Sequence, residues 1–103
     1  MSATTEELIW LVGQRTRFEI LDDVLYLHAD NGWSLALHSD RRIRPAKDAT
    51  FWIDRIVDIH DSGMMLTIVT DAGTYIDVDL ADASHHGPAA MVLTGPGDQV
   101  MAW

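Results

Sequence analysis

Carboxylate and imidazole side chains alternate along two stretches of the chain that have the pattern of β-strands. Asp54, Asp58 and His60 stand at alternate positions of the first stretch, an even number of residues apart, and so do Asp77 and Asp79 in the second. Alternate side chains of a strand project from one face of a sheet, so we expect all five on one face. The first and third strands of a meander lie about 9–10 Å apart, too far for their side chains to share a metal coordination shell. Only Asp77 with Asp79 could hold a weak cation, so we assign no metal and expect a carboxylate-rich surface.

Apolar side chains lie at the other end of the same predicted face. The same alternation places four apolar residues on the face of the acids: Trp52, Ile56, Val69 and Tyr75. Aromatic anchors beside charged groups are typical of protein–protein interfaces. Two interpretations stay open: these side chains contact a partner, or an N-terminal helix or the first hairpin covers them. On the first interpretation the partner-binding residues are Asp54, Asp58, His60, Asp77, Asp79, Trp52 and Tyr75.

The sequence contains no recognisable catalytic motif. It has no cysteine, which excludes thiolate nucleophiles and cysteine-held metals. No serine stands in a nucleophile-elbow motif, and no glycine-rich phosphate loop precedes a helix. The adjacent His85 and His86 could bind zinc only with a third ligand nearby. We therefore assign no catalytic residue or cofactor; a small metal-dependent enzyme built on His60, His85, His86 and the Asp77/Asp79 pair is the less favoured alternative.

Negative charge is concentrated in the second half of the chain. Residues 1–47 carry six basic and seven acidic side chains, whereas residues 48–103 carry one and nine, so the two parts contribute −1 and −8 to the net charge of −9. Such a field repels nucleic-acid phosphate and anionic lipid and attracts basic proteins. The alternative is that the acids serve solubility alone.

The first part of the chain predicts a helix and a hairpin. Over residues 4–13, a threonine N-cap, two glutamates in the first turn and apolar residues at i, i+3 and i+4 indicate a short amphipathic helix. The first hairpin, 24–38, contains Asn31-Gly32, which favours a two-residue turn. That turn would place His28 opposite Leu35.

The second part predicts a three-stranded meander over 51–80, reached through a polar connection, 39–50, in which Pro45 excludes a central strand. Parity favours a three-residue loop at 71–73, because it sets apolar residues opposite one another. The remainder, 81–103, predicts a loop and a last hairpin. The expected core face of the meander is Phe51, Ile53, Val57, Ile59, Leu66, Ile68, Ile76, Val78 and Leu80.

These elements predict one α+β domain, 1–103, with the helix packed on a twisted antiparallel sheet of about six or seven strands that could curl towards a barrel. The expected function is non-enzymatic: an acidic protein that blocks a basic partner such as a nuclease or a nucleic-acid-handling complex, as immunity proteins and anti-CRISPR proteins do. The alternative is an accessory subunit that self-associates, and a homodimer is plausible for so small a core. No signal-peptide or membrane-spanning pattern is found, so we expect a cytoplasmic location with no direct nucleic-acid or membrane contact.

Overall fold

In the described part of the chain, nine antiparallel strands form one sheet, more than the predicted six or seven. The computed structural model describes residues 8–45, 49–62, 64–79, 91–97 and 99–102. The strands in chain order are β1 (Arg15–Leu21), β2 (Val24–Ala29), β3 (Ser34–Leu37), β4 (Arg41–Arg44), β5 (Phe51–Asp61), β6 (Met65–Thr70), β7 (Tyr75–Asp79), β8 (Met91–Thr94) and β9 (Val100–Ala102). Their order in the sheet is β4-β7-β6-β5-β1-β2-β3-β8-β9, with every neighbouring pair antiparallel.

One side of the sheet, which we call the inner side, forms the hydrophobic core. Phe18, Leu27 and Leu35 follow one another across β1, β2 and β3, and all three are fully buried. Eight strand spacings of about 4.8 Å would make a flat sheet about 38 Å wide, but the longest dimension of the molecule is 30 Å. The sheet is therefore curled, with its inner side packed against itself and its outer side facing solvent.

The predicted N-terminal helix is wrong, and with it the α+β class. Within the described residues the helical structure is a single 3-10 turn, Ile9–Leu11; residues 4–7 lie outside that part of the chain. The turn is enough to bury Leu8 and Leu11, and Gly13 then turns the chain into β1 with a φ of 84°. The i, i+3 spacing of the two leucines therefore fits one turn as well as a full helix. The described chain is nearly all antiparallel sheet.

The first hairpin has a register one residue away from the predicted one. Leu27, and not His28, lies opposite Leu35. The loop contains three residues, 30–32, and its last residue, Gly32, has a φ of 93°, as expected of the glycine that closes a three-residue hairpin loop. This register places the leucines of both strands on the inner side, whereas the predicted two-residue turn would have opposed a leucine to a histidine.

The stretch predicted as a polar connection contains a strand. β4 pairs with β7 and forms one edge of the sheet, so residues 39–50 are not all loop. Pro45 follows the last residue of β4, in agreement with the exclusion of proline from a central strand. Ile43 points to the inner side and is half-buried, and Arg42 and Arg44 lie on the outer side. The sheet thus gains two arginines next to β7.

A β-bulge at Val57 reverses the parity of β5. Before the bulge Trp52 and Ile56 point to the inner side, and after it Ile59 does so, opposite Ile68. A bulge sets two residues against one on the neighbouring strand, so every later side chain changes sides. The predicted core face is correct at Ile59, Leu66, Ile68, Ile76 and Val78, wrong at Phe51, Ile53 and Val57, which are exposed, and outside the described residues at Leu80.

The loop between β6 and β7 has the predicted three residues, 71–73. Ile68 lies opposite Ile76 and Leu66 opposite Val78, which confirms the parity argument. β8 and β9 form a further hairpin at the other edge of the sheet. No helix in the described residues has the length and apolarity that a membrane crossing requires.

Candidate functional site

The outer side of β4, β7, β6 and the second half of β5 carries five of the seven predicted site residues. We call it the acidic surface. Its rows across the strands are Asp58, Val69, Tyr75 and Arg44, then His60, Thr67, Asp77 and Arg42, then Met65 and Asp79. The structure therefore brings Asp58, His60, Asp77, Asp79 and Tyr75 together on one face, as the alternation predicts.

The other two predicted site residues lie on the inner side. Trp52 is half-buried and stacks on Phe18 with ring centroids 5.2 Å apart. Asp54 lies opposite Thr16 and accepts a hydrogen bond of 3.4 Å from the Thr70 hydroxyl. Both precede the bulge in β5, which is why they do not share a side with Asp58. The acidic surface includes neither of them.

Asp77 is held at the centre of the acidic surface by hydrogen bonds. Arg44 donates from Nε to one carboxylate oxygen at 2.7 Å and from Nη2 to the other at 3.2 Å, and the Thr67 hydroxyl donates at 2.8 Å. Burial raises the pKa of Asp77, but the hydrogen bonds from Arg44 and Thr67 and the positive charges of Arg44 and Arg42 outweigh it and leave that pKa below its ordinary value. The carboxylate is therefore a fixed negative charge.

Asp58 and His60 form an exposed pair at the end of the acidic surface. The His60 Nε2 lies 2.9 Å from a carboxylate oxygen of Asp58, and the other oxygen accepts a hydrogen bond of 2.9 Å from the Ile59 N–H. Thr67 lies opposite His60, but its hydroxyl donates to Asp77. The Thr67 proton is therefore shared with Asp77, whose lowered pKa makes it a weak base, and not with His60.

A shallow groove of about 390 Å³ runs along the β4 side of the acidic surface. Three of its lining residues are acids, Asp40, Asp77 and Asp79; the others are Arg41, Arg42 and Met65. Met65 is 40% exposed, so the groove combines an apolar contact with carboxylates. Asp40 was not predicted as a site residue, because it stands in the stretch expected to be a loop. The alternation of Arg42, Ile43 and Arg44 was the available indication of a strand.

The described residues contain no group of three or more histidine and acidic side chains arranged to hold a metal ion. In particular, both oxygens of Asp77 accept hydrogen bonds from Arg44, so it is not poised to share a cation with Asp79. His85 and His86, the other predicted members of a metal site, lie outside the described residues.

The acidic surface is a solvent-facing sheet face with fixed charges and partly exposed Met65 and Tyr75. Comparison with protein-family models, curated proteins and solved structures finds no match.

Proposed function

We propose that this protein is a non-enzymatic binding protein that blocks a basic protein partner through its acidic surface. The observation that carries the proposal is the groove in which Asp40, Asp77 and Asp79 stand beside Met65. Carboxylates next to an apolar contact suit the side chain of a lysine or arginine, whose charged end and aliphatic stem need different neighbours. Asp58 and the 42% exposed Tyr75 extend the same surface.

Electrostatics over a longer range supports the same proposal. A net charge of −9 on 103 residues raises the rate at which a basic protein meets this one. Arg42 and Arg44 offset part of the local negative charge, but the Arg44–Asp77 pair is partly exposed. Because exposed ion pairs contribute little stability, an arginine of the partner can replace Arg44 at low cost. Immunity proteins and anti-CRISPR proteins are inhibitors of the proposed kind. The proposed location of this one is the cytoplasm.

The test compares two variants that remove the same charge from different places. Asp58→Asn/Asp79→Asn removes two negative charges from the acidic surface, and Asp22→Asn/Asp30→Asn removes two from exposed turns elsewhere. Asn is tolerated at position 22, where φ is 50°. The wild-type chain is used to capture partners from the source cells at low and high salt, and association with the purified partner is then timed for all three chains.

We expect a basic partner that salt releases, and an association rate that falls at least about tenfold for the acidic-surface variant. The turn variant should associate almost as fast as the wild type. Equal rates for the two variants would show that overall charge alone matters. Recovery of a partner that is not basic, or of no partner, would contradict the proposal.

A second candidate function, a self-associating accessory subunit, draws on β9. This strand forms an edge of the sheet, and its Val100 is 63% exposed; unpaired strand edges are sites of sheet extension between chains. Deletion of residues 99–103 should then abolish a dimer while leaving the circular-dichroism spectrum of the sheet in place. The molar mass in solution decides: a monomeric wild-type chain would contradict this alternative.

A further inference from the structure

The loop between β2 and β3 contains the only asparagine of the chain, and a glycine follows it. Asn31 and Gly32 are both exposed. In such a pair the peptide nitrogen of the glycine can attack the side-chain carbonyl carbon of the asparagine, because glycine has no side chain to shield that nitrogen. The pair that closes the hairpin loop is therefore also a candidate for spontaneous deamidation.

The Asn31 side chain is folded back over the peptide group of Gly32. The Trp33 N–H donates to Asn31 Oδ1 at 3.2 Å, which closes a turn of the side chain around the Gly32 nitrogen. The same hydrogen bond draws electrons from the side-chain carbonyl group, so its carbon becomes a better target for a nucleophile. The amide is thus placed and polarised for attack by the nitrogen that follows it.

The nitrogen of the same amide holds the N-terminal turn. Asn31 Nδ2 donates to the main-chain oxygen of Trp10 at 2.7 Å, and the Trp10 ring stacks on the Trp33 ring with centroids 4.3 Å apart. Trp33 also lies directly against the backbone of Gly95, where a Cβ would come within 2.5 Å of its ring. Trp10 is 42% exposed, so of the two rings it is the one that is free to move away.

We propose that Asn31 is a deamidation site and that its conversion releases Trp10 from Trp33. The Gly32 nitrogen forms a bond to the side-chain carbon of Asn31 while the bond from that carbon to Nδ2 breaks. The proton of the Gly32 nitrogen leaves with Nδ2 as ammonia, and a succinimide ring remains. Water then opens the ring at either of its carbonyl carbons and gives aspartate or isoaspartate. The reaction needs no other reactant, and it does not depend on the acidic surface or its partner.

The product keeps one contact of the amide and loses the other. An aspartate oxygen still accepts from the Trp33 N–H, but the oxygen that replaces Nδ2 has no proton to donate and faces the main-chain oxygen of Trp10. Like partial charges at this distance repel each other. Leu8 and Leu11 are fully buried and keep the rest of the turn in the core, so the change is confined to Trp10.

Two hydrogen bonds of the folded chain oppose the reaction and set its pace. The Gly32 N–H donates to the main-chain oxygen of Ala29 at 3.1 Å, and the bond from Asn31 Nδ2 to Trp10 must break before ammonia leaves. We therefore expect the folded chain to deamidate, and to do so more slowly than the chain unfolded in urea.

The experiment compares the wild type with Asn31→Asp, which is one of the two products, and with a matched control. The control, Gln99→Glu, makes the same change from amide to acid in another exposed loop. The wild type is incubated at mildly alkaline pH, both folded and in urea, and mass spectrometry follows the conversion at residue 31. Circular dichroism of the stacked indoles measures the contact of Trp10 with Trp33, and Trp10→Phe gives the spectrum without it.

We expect the folded wild type to lose ammonia at residue 31, with an indole signal that falls in step with the conversion. Asn31→Asp should have the reduced signal from the start, close to that of Trp10→Phe, and Gln99→Glu should keep the wild-type signal. Amide chemical shifts of β5, β6 and β7 should be the same in Asn31→Asp as in the wild type, which shows that the sheet is folded. The aged wild type repeats the comparison on a chain that folded with asparagine in place.

Three results would overturn the proposal. The first is a folded chain in which Asn31 stays intact while the chain in urea converts fully. The second is conversion of the wild type with no change in the indole signal. The third is an equal loss of signal in Gln99→Glu, which would assign the effect to added charge and not to the lost donor. None of these results bears on the association rates that test the acidic surface, because those depend on other residues.

Discussion

The Asp77 carboxylate accepts hydrogen bonds from Arg44 and Thr67, and these contacts decide its role. They keep it ionised and fixed, so it shapes the groove without being free to bind a metal ion. The sequence identified Asp77 as a surface acid by its parity. It could not identify Arg44 as the partner, since the two residues are brought together by the pairing of β4 with β7 and are distant in the chain.

The lowered pKa of Asp77 predicts a pH dependence of stability. Its folded pKa lies below its ordinary value of 3.8, so the stabilisation is present above that value and is lost as the pH falls through the lowered pKa. Asp77→Asn should cost about 1 kcal/mol near neutral pH, at the lower end for charged hydrogen bonds because Arg44 is half exposed. The difference from the wild type should shrink in acid.

Urea unfolding at several pH values measures both curves. Thr67→Ser keeps the hydroxyl and serves as the matched control, with an unchanged dependence on pH. A wild-type curve parallel to that of Asp77→Asn down to acid pH would contradict this account of Asp77.

At the scale of the elements, the pairing of apolar residues predicted the β6–β7 loop correctly. The first hairpin was predicted from its turn residues instead, and its register is wrong. There the Asn31-Gly32 dipeptide suggested a two-residue turn, whereas opposing Leu27 to Leu35 requires the three residues that the loop contains. The bulge in β5 was harder to predict, because apolar residues occupy both alternating sets of positions in the part of the strand before it. Arg55, which interrupts the predicted core face between Ile53 and Val57, is the residue that departs from the predicted alternation.

The three-residue β6–β7 loop depends on Gly73, whose φ of 82° is in the left-handed region. No atom of the described residues lies within 4 Å of the place where a Cβ would stand, so a substitution meets backbone strain and no steric clash with them. Gly73→Ala should lower the free energy of unfolding by about 1–2 kcal/mol. Gly73→Asn should lose less, because Asn tolerates this conformation.

Thermal unfolding compares the two Gly73 variants with the wild type. If Gly73→Ala is as stable as the wild type, the loop does not require a left-handed residue. If Gly73→Asn loses as much as Gly73→Ala, some other property of glycine is needed at this position.

At the scale of the whole molecule, the charged residues of the two parts of the chain lie side by side in the fold, although they are separated in the sequence. The first part of the sequence is nearly neutral and the second strongly acidic, which suggested one acidic face. Because β4 crosses to pair with β7, arginines of the first part stand among the acids of the second. Arg55, the one basic residue of the second part, joins arginines of the first. Counting charges along the chain cannot foresee this exchange, since long-range pairing produces it.

The pairing of β1 with β5 has a consequence for the order in which the sheet forms and comes apart. In the sheet it is the joint between two groups, β4-β7-β6-β5 and β1-β2-β3-β8-β9. Arg15 and Arg55 pair across it from forty positions apart in the chain, whereas the hairpins on either side close short loops. Long loops close slowly, so the hairpins form before this joint and before the β3–β8 and β4–β7 pairings, which also join distant stretches of the chain.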